Sequence, residues 1–170
     1  LSKIPTITLA DPTRSGYTFT GWTGSNGTTP QKGVQIPQGS TGNKEYTAHW
    51  TKDAYTITYN LNGGTNNPNN PSSFNVDTND ITLQDPTREG YTFTGWYDNS
   101  SYTGESITTV EAGTNNQMNL YAKWEAIPYE ITYTLNSGTC ANCPTTYNID
   151  TNTFTLPTPT RTGYTFTGYL

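Results

Sequence analysis

Gly90-Tyr91-Thr92-Phe93-Thr94-Gly95-Trp96 reads as a strand bounded by glycines, and nearly the same stretch occurs twice more in the chain. Gly16-Tyr17-Thr18-Phe19-Thr20-Gly21-Trp22 lies 74 residues earlier, and Gly163-Tyr164-Thr165-Phe166-Thr167-Gly168-Tyr169 lies 73 residues later. A turn precedes each copy: Asp11-Pro12-Thr13-Arg14, Asp85-Pro86-Thr87-Arg88 and Thr158-Pro159-Thr160-Arg161. A second anchor, Tyr55-Thr56-Ile57-Thr58-Tyr59-Asn60-Leu61-Asn62-Gly63-Gly64, recurs from Tyr129 to Gly138. A third, Tyr46-Thr47-Ala48-His49-Trp50, matches Tyr121-Ala122-Lys123-Trp124 through its Ala and Trp. Three anchors on one period are the signature of a repeat architecture.

The period divides the chain into three. Residues 51–124 form a complete unit, 1–50 a unit lacking its N-terminal strand, and 125–170 a unit lacking its C-terminal part. This reads as a window on a longer array, and the lack of a signal peptide at Leu1 reads as a mature or excised segment. The links Thr51-Lys52-Asp53-Ala54 and Glu125-Ala126-Ile127-Pro128 are short and hold neighbouring units close.

Within a unit the apolar period is two. Tyr55, Ile57, Tyr59 and Leu61 alternate with Thr56, Thr58 and Asn60, the pattern of a half-buried strand. Phe74 and Val76, then Ile81 and Leu83, predict a second strand or a hairpin. Strict alternation places Tyr91 and Phe93 on one face and Thr92, Thr94 and Trp96 on the other. Leu120, Ala122 and Trp124 close the unit as a last strand. No run carries a 3.6-residue apolar period long enough for a helix, beyond at most one short turn after Asp98. The expected fold class is β-rich, with four or five strands per unit.

Composition narrows the function. Hydrophobic residues make up 31% and charged residues 12%, with a net charge of −5. A typical globular domain has about 25% charged residues. With no basic run the chain lacks the clustered Lys and Arg that a phosphate backbone needs, so no nucleic-acid partner is expected. No stretch approaches the roughly 20 apolar residues of a membrane span, so no membrane insertion is expected in this segment. Aromatic residues, at 13%, supply enough buried area for a small core. One His and scattered carboxylates offer no recurring nucleophile–base pair, so neither an enzyme nor a cofactor is expected.

The ordered set Tyr-x-Ile-x-Tyr-x-Leu-Asn-Gly-Gly, Ile-Thr-Leu, Pro-Thr-Arg-x-Gly-Tyr-Thr-Phe-x-Gly-Trp and Leu-Tyr-Ala-x-Trp resembles the Listeria–Bacteroides repeat family. That family is related to the B-repeat of internalin-type surface proteins. The resemblance covers effectively the whole chain. It implies small β-grasp-like domains repeated in tandem in secreted or wall-attached bacterial proteins, with no catalytic residues. The implied location is extracellular, at the cell surface or cell wall. The third unit departs from the pattern, with Ser137 in place of Gly63 and Tyr169 in place of Trp96.

A few residues could carry chemistry. Cys140-Ala141-Asn142-Cys143 has too few ligands for structural zinc and no βαβ setting for a redox motif. In an extracellular protein the pair is expected to form a local disulfide stapling a variable loop, with two free thiols as the alternative. His49 aligns with Lys123 and is expected to face solvent. Trp22 and Trp96 are the candidate ligand contacts, if the aromatic strand is a sugar-stacking platform and not a core. Arg14, Arg88 and Arg161 recur in the turn and are expected to make a local ion pair or a backbone contact. The expected role is a non-catalytic stalk or spacer, with an adhesion role, whose partners are the neighbouring repeats of the same chain. The alternative is a module binding a glycan or a protein of a host or neighbouring cell through exposed aromatics.

Overall fold

A computed structural model describes residues 5–170, so Leu1 lies outside the described residues. The first unit holds β1 (Ile7–Thr8), β2 (Tyr17–Gly24), β3 (Gly27–Gln31), β4 (Gln35–Ile36) and β5 (Tyr46–Lys52). The central unit holds β6 (Tyr55–Asn60), β7 (Ser73–Phe74), β8 (Ile81–Thr82), β9 (Tyr91–Tyr97), β10 (Thr109–Val110) and β11 (Met118–Ala126). The third has only β12 (Tyr129–Glu130) and β13 (Thr146–Tyr147). No helix occurs among the described residues, so the β-rich reading stands without its β-grasp detail. The segment after Asp98 is a turn closed by the Tyr102 amide on the Asn99 carbonyl at 3.3 Å.

The central sheet has the order β7-β6-β11-β9. β11 lies parallel to β6, with Met118 opposite Ile57 and Tyr121 opposite Asn60, and antiparallel to β9. The first and last strands of the unit are therefore neighbours at the middle of the sheet. β11 is paired on both edges, and Leu120 and Ala122 on it are fully buried. Asparagines extend the parallel ladder at its end: the side-chain amides of Asn60 and Asn62 donate to the carbonyls of Leu120 and Ala122, at 3.1 and 2.9 Å. The core joins Ile57, Phe74, Leu83, Trp96, Val110, Leu120 and Ala122. Phe74 and Ile81 do not belong to one hairpin: β7 pairs with β6, while β8 pairs with β10 across the core.

Strict alternation fails along β9. Lys123 faces Gly95 but Trp124 faces Phe93, which leaves Thr94 as an extra residue in a β-bulge. Gly95 takes the bend with φ of 147°. The extra residue turns Trp96 to the same side as Phe93, and the two rings meet edge to face at 5.3 Å. The expectation that Trp96 opposes Tyr91 and Phe93 is corrected by this bulge. The first unit does the same: Phe19 faces Trp50, Gly21 faces His49, Thr20 is extra, and Phe19 meets Trp22 at 5.3 Å.

The first unit's main sheet has the order β3-β2-β5, with Phe19 and Val34 buried. β5 pairs with β2 along one edge, and its other edge has no strand among the described residues. In the third unit β12 pairs only with β13, and its apolar side chains stay open: Tyr164 is 65% exposed and Ile149 50%.

Candidate functional site: the joint between units

The same contact recurs at both boundaries, built from a turn of one unit and the glycine turn of the unit before it. Asn75-Val76-Asp77-Thr78 closes on itself. The Thr78 amide donates to the Asn75 carbonyl at 3.0 Å, and the Asp77 amide to Asn75 Oδ1 at 3.0 Å. Asn148-Ile149-Asp150-Thr151 repeats these bonds at 3.0 and 2.9 Å. Asn serves here because its short amide can mimic a backbone turn. Each turn thus presents an apolar tip, Val76 or Ile149, beside a carboxylate.

The receiving surface is equally regular. Gly16 and Gly90 hold φ of 76° and 77°, and a Cβ on either would overlap the side chain of Val76 or Ile149. Glycine is needed there both for the left-handed backbone and for the close approach. The Tyr17 hydroxyl donates to Asp77 Oδ1 at 2.8 Å, and the Tyr91 hydroxyl donates to Asp150. An arginine lies over each tyrosine: Arg14 is 3.7 Å from the Tyr17 ring centroid and Arg88 3.6 Å from that of Tyr91. These are cation–π contacts, so the expected ion pair or backbone contact of the recurring arginines is corrected to a stack on the tyrosine. The link then ties back, with the Asp53 amide donating to the Gly16 carbonyl at 3.0 Å and the Ile127 amide to Gly90 at 2.9 Å.

The two joints differ in charge. Lys52 Nζ lies 2.6 Å from Asp77, both side chains about half exposed, whereas Ala126 stands one period on from Lys52. Hydrogen bonds from Lys52 and then Tyr17 hold the Asp77 carboxyl below its ordinary range. The Asp77 bond pushes the Tyr17 phenol up, and the Asp150 bond does the same for Tyr91. The first joint also carries a bond from the Asn115 amide to Ser15 Oγ at 2.6 Å.

The residues singled out from sequence fall elsewhere. Trp96 is 2% exposed, and its indole donates to the Gln84 carbonyl at 3.3 Å, so it is a core residue with no face for a ligand. Trp22 sits in the matching aromatic row between Phe19 and Tyr46, its indole nitrogen buried without a partner among the described residues. Cys140 and Cys143 are joined as a disulfide, Cα atoms 5.5 Å apart, in the loop between the first strand of the third unit and β13. His49 is half-buried and shares a 2.7 Å hydrogen bond with Thr23. The joint itself left one sequence signal, Asn-x-Asp-Thr at 75–78 and again at 148–151, on the period of the other anchors.

Small β units joined by one repeated contact define a tandem repeat array. The chain belongs to the Listeria-Bacteroides repeat domain family, whose model matches residues 2–49, 55–123 and 129–169. A protein of Evansella cellulosilytica described as a Gly-rich membrane protein is 28% identical over 128 residues, covering 74% of this chain and 14% of that protein. Internalin H of Listeria monocytogenes is 31% identical over 105 residues, covering 58% of this chain and 16% of its own length. A second membrane protein of E. cellulosilytica is 32% identical over 94 residues, 54% of this chain and 13% of that one. The chain thus spans a small fraction of these relatives, which are bacterial proteins of membrane or internalin type. No solved structure matches at the same stringency.

Proposed function

We propose that the chain is a non-catalytic spacer of a bacterial surface protein, placed outside the cell, whose units are held at a set pitch by the joint. The observation that carries this reading is that one joint occurs twice, with the same glycine, tyrosine, arginine and aspartate in the same roles. A flexible tether would have no use for a repeated shape-matched contact, because Gly- and Ser-rich links suffice for reach. The surface is rich in uncharged Thr and Asn, which keeps an extended array soluble without strong charge steering. The glycan-platform alternative loses its main anchor, since Trp96 is enclosed in the core.

The test is a pair of spin labels at exposed strand positions, Thr18 in the first unit and Thr92 in the central one, read by pulsed dipolar spectroscopy. A spacer of set pitch gives one narrow distance distribution that broadens in Gly16→Ala. A broad distribution in the unmodified chain would sink the reading.

A further inference from the structure

The loop that follows the glycine turn is fastened differently in the central and third units. In the central unit Asn66 Oδ1 accepts from the Asn67 amide at 2.9 Å and from the Asn70 side-chain amide at 2.8 Å. Asn70 then clasps Gln84 both ways. Its side-chain amide donates to the Gln84 carbonyl at 2.9 Å, and its Oδ1 accepts from the Gln84 amide at 2.7 Å. The third unit has the same loop shortened by one residue. Thr65 and Thr139 mark its start, bridged to Thr87 and Thr160 of the arginine turns. Pro71 and Pro144 mark its end, where their carbonyls accept from the Tyr59 and Tyr133 hydroxyls at 2.8 and 2.9 Å. Counted from these marks, Cys140 stands for Asn66 and Cys143 for Asn70. The disulfide takes the place of the Asn66–Asn70 bond.

The surroundings have changed with it. Pro157 stands where the central unit has Gln84, and proline has no amide hydrogen to give. The carbonyl at that position is still used, by the Tyr169 hydroxyl at 2.7 Å in place of the Trp96 indole at 3.3 Å. Among the described residues the bonds of Asn66 and Asn70 have no counterpart beyond a 3.8 Å contact of Cys143 Sγ with the Tyr169 hydroxyl. A covalent bond thus does alone what a hydrogen-bonded network does one unit earlier. Both cysteines are half-buried, and Ala141 and Asn142 between them are exposed. The central unit leaves Pro68 and Asn69 of the same loop exposed with β11 in place, so a closing strand does not cover it. Only Pro144 to Tyr147 separate Cys143 from the turn Asn148–Thr151 that enters the second joint. Two of these four residues are β13.

We propose that Cys140–Cys143 is a thiol-exchange site, and that its reduction releases the second joint while the first stays closed. The reductant is a dithiol. One of its thiolates attacks a cystine sulfur, forming a mixed disulfide and expelling the other cysteine as a thiolate. Its second thiol then displaces the protein and the reagent leaves as a disulfide, two electrons and two protons having passed to Cys140 and Cys143. A disulfide within reach of solvent thiols is of the labile kind. Opening a ring of four residues shifts the local opening equilibrium by on the order of 20-fold from chain entropy. Once open, the loop has no asparagine network to hold it, and the Thr145 carbonyl, which takes the Ile131 amide at 2.8 Å, loses its support. The turn that seats Ile149 on Gly90 and Asp150 on Tyr91 is attached directly to β13 and loosens with it. The second joint also has Ala126 in place of the lysine that pairs with Asp77 in the first. The first joint takes its turn from the central unit, behind the asparagine-fastened loop, so a dithiol has nothing there to cleave.

Amide hydrogen exchange on the full chain reads the two joints side by side, through the Asp53 amide bonded to Gly16 and the Ile127 amide bonded to Gly90. Dithiothreitol is the dithiol, and mass after thiol alkylation reports how much of the bond it has cleaved. The expected result is that Ile127 exchanges roughly tenfold faster or more after reduction, while Asp53 keeps its rate. The double variant Cys140→Ser, Cys143→Ser is expected to show the fast Ile127 rate without reductant and no response to it. The proposal is overturned if dithiothreitol leaves the bond intact in the folded chain, or if reduction leaves the Ile127 rate unchanged. It is equally overturned if Asp53 accelerates as much as Ile127, or if the serine variant keeps the slow rate. The spin-label distances between Thr18 and Thr92 report on the first joint alone, so the spacer reading and this one fail separately.

Discussion

The central and third units share most of their first strand and their glycine-bounded strand, yet only one of them builds a sheet from these. Tyr55 to Gly64 forms a six-residue strand with Ile57 buried, whereas Tyr129 to Gly138 pairs at two positions and buries nothing. Gly90 to Trp96 runs as strand, whereas Gly163 to Tyr169 does not. What separates them is β11, which the central unit has and residues 125–170 do not. Strand propensity is a fit to a pleated, half-buried surface, and without the middle strand that surface is missing. The comparison teaches that the last strand of each unit converts the earlier ones from compatible sequence into structure.

The largest expected difference is in amide hydrogen exchange. Amides in the β6–β11–β9 ladder should exchange only through global opening, while those of Ile131, Tyr133 and Phe166 exchange through local opening, several orders of magnitude faster. Equal protection in both units would break the comparison. Next comes Leu120→Ala, which opens a cavity beneath the fully buried middle strand and is expected to cost about 2–5 kcal/mol. Phe166→Ala, at a residue 39% exposed, is expected to cost about 0.5 kcal/mol or less. Urea denaturation measures both, and similar midpoint shifts would contradict the contrast.

Gly90→Ala and Gly163→Ala sharpen it further. Both residues have φ of 77°, so each substitution carries a backbone cost of about 1–2 kcal/mol. Only Gly90 meets a neighbour, Ile149 of the next unit, while Gly163 has open space around it. Gly90→Ala should therefore also loosen the third unit in solution scattering, and Gly163→Ala should not.

A smaller effect is expected at alkaline pH. Burial pushes the Tyr59 phenol up to about 12 from an ordinary 10.0. Its contribution to stability is whole below pH 10 and is lost as pH rises from 10 towards 12, because the unfolded chain ionises first. Tyr59→Phe should flatten that region of the pH–stability curve. The smallest effect belongs to the first joint. Asp77 sits below its ordinary range, so what it contributes is present above pH 3.8 and fades as pH falls through its lowered value. Asp77→Asn should remove a slight salt sensitivity of label distances across that joint, because exposed pairs are screened. The second joint, with Ala126 in place of a lysine, should show less to begin with.

Much of this was legible from the chain alone. The 74-residue period, the inward set Tyr55, Ile57, Tyr59 and Leu61, and the closing strand with Leu120, Ala122 and Trp124 all follow from repetition and period-two patterning. The face of Trp96 did not, because alternation assumes one residue per step and the bulge at Thr94 adds one; Gly95 was the only trace of it. The partnering of β8 with β10 was hidden for a different reason, since two-residue strands carry too few positions to show a period. The joint was written in the recurrence of Asn-x-Asp-Thr and Arg-x-Gly-Tyr, but which turn meets which tyrosine depends on how successive units pack. No local pattern encodes that.

The parallel placement of β6 beside β11 has a mechanical consequence. The chain enters the unit at the start of β6 and leaves it at the end of β11, and in a parallel pair these points lie at opposite ends. Tension along an array therefore slides the two strands past each other. The bonds between residues 57–60 and 118–121, with the Asn60 and Asn62 clasps, share the load together and must break together. Shear of this kind demands a higher force than unzipping, so a complete unit is built to carry a pull transmitted through its own ends.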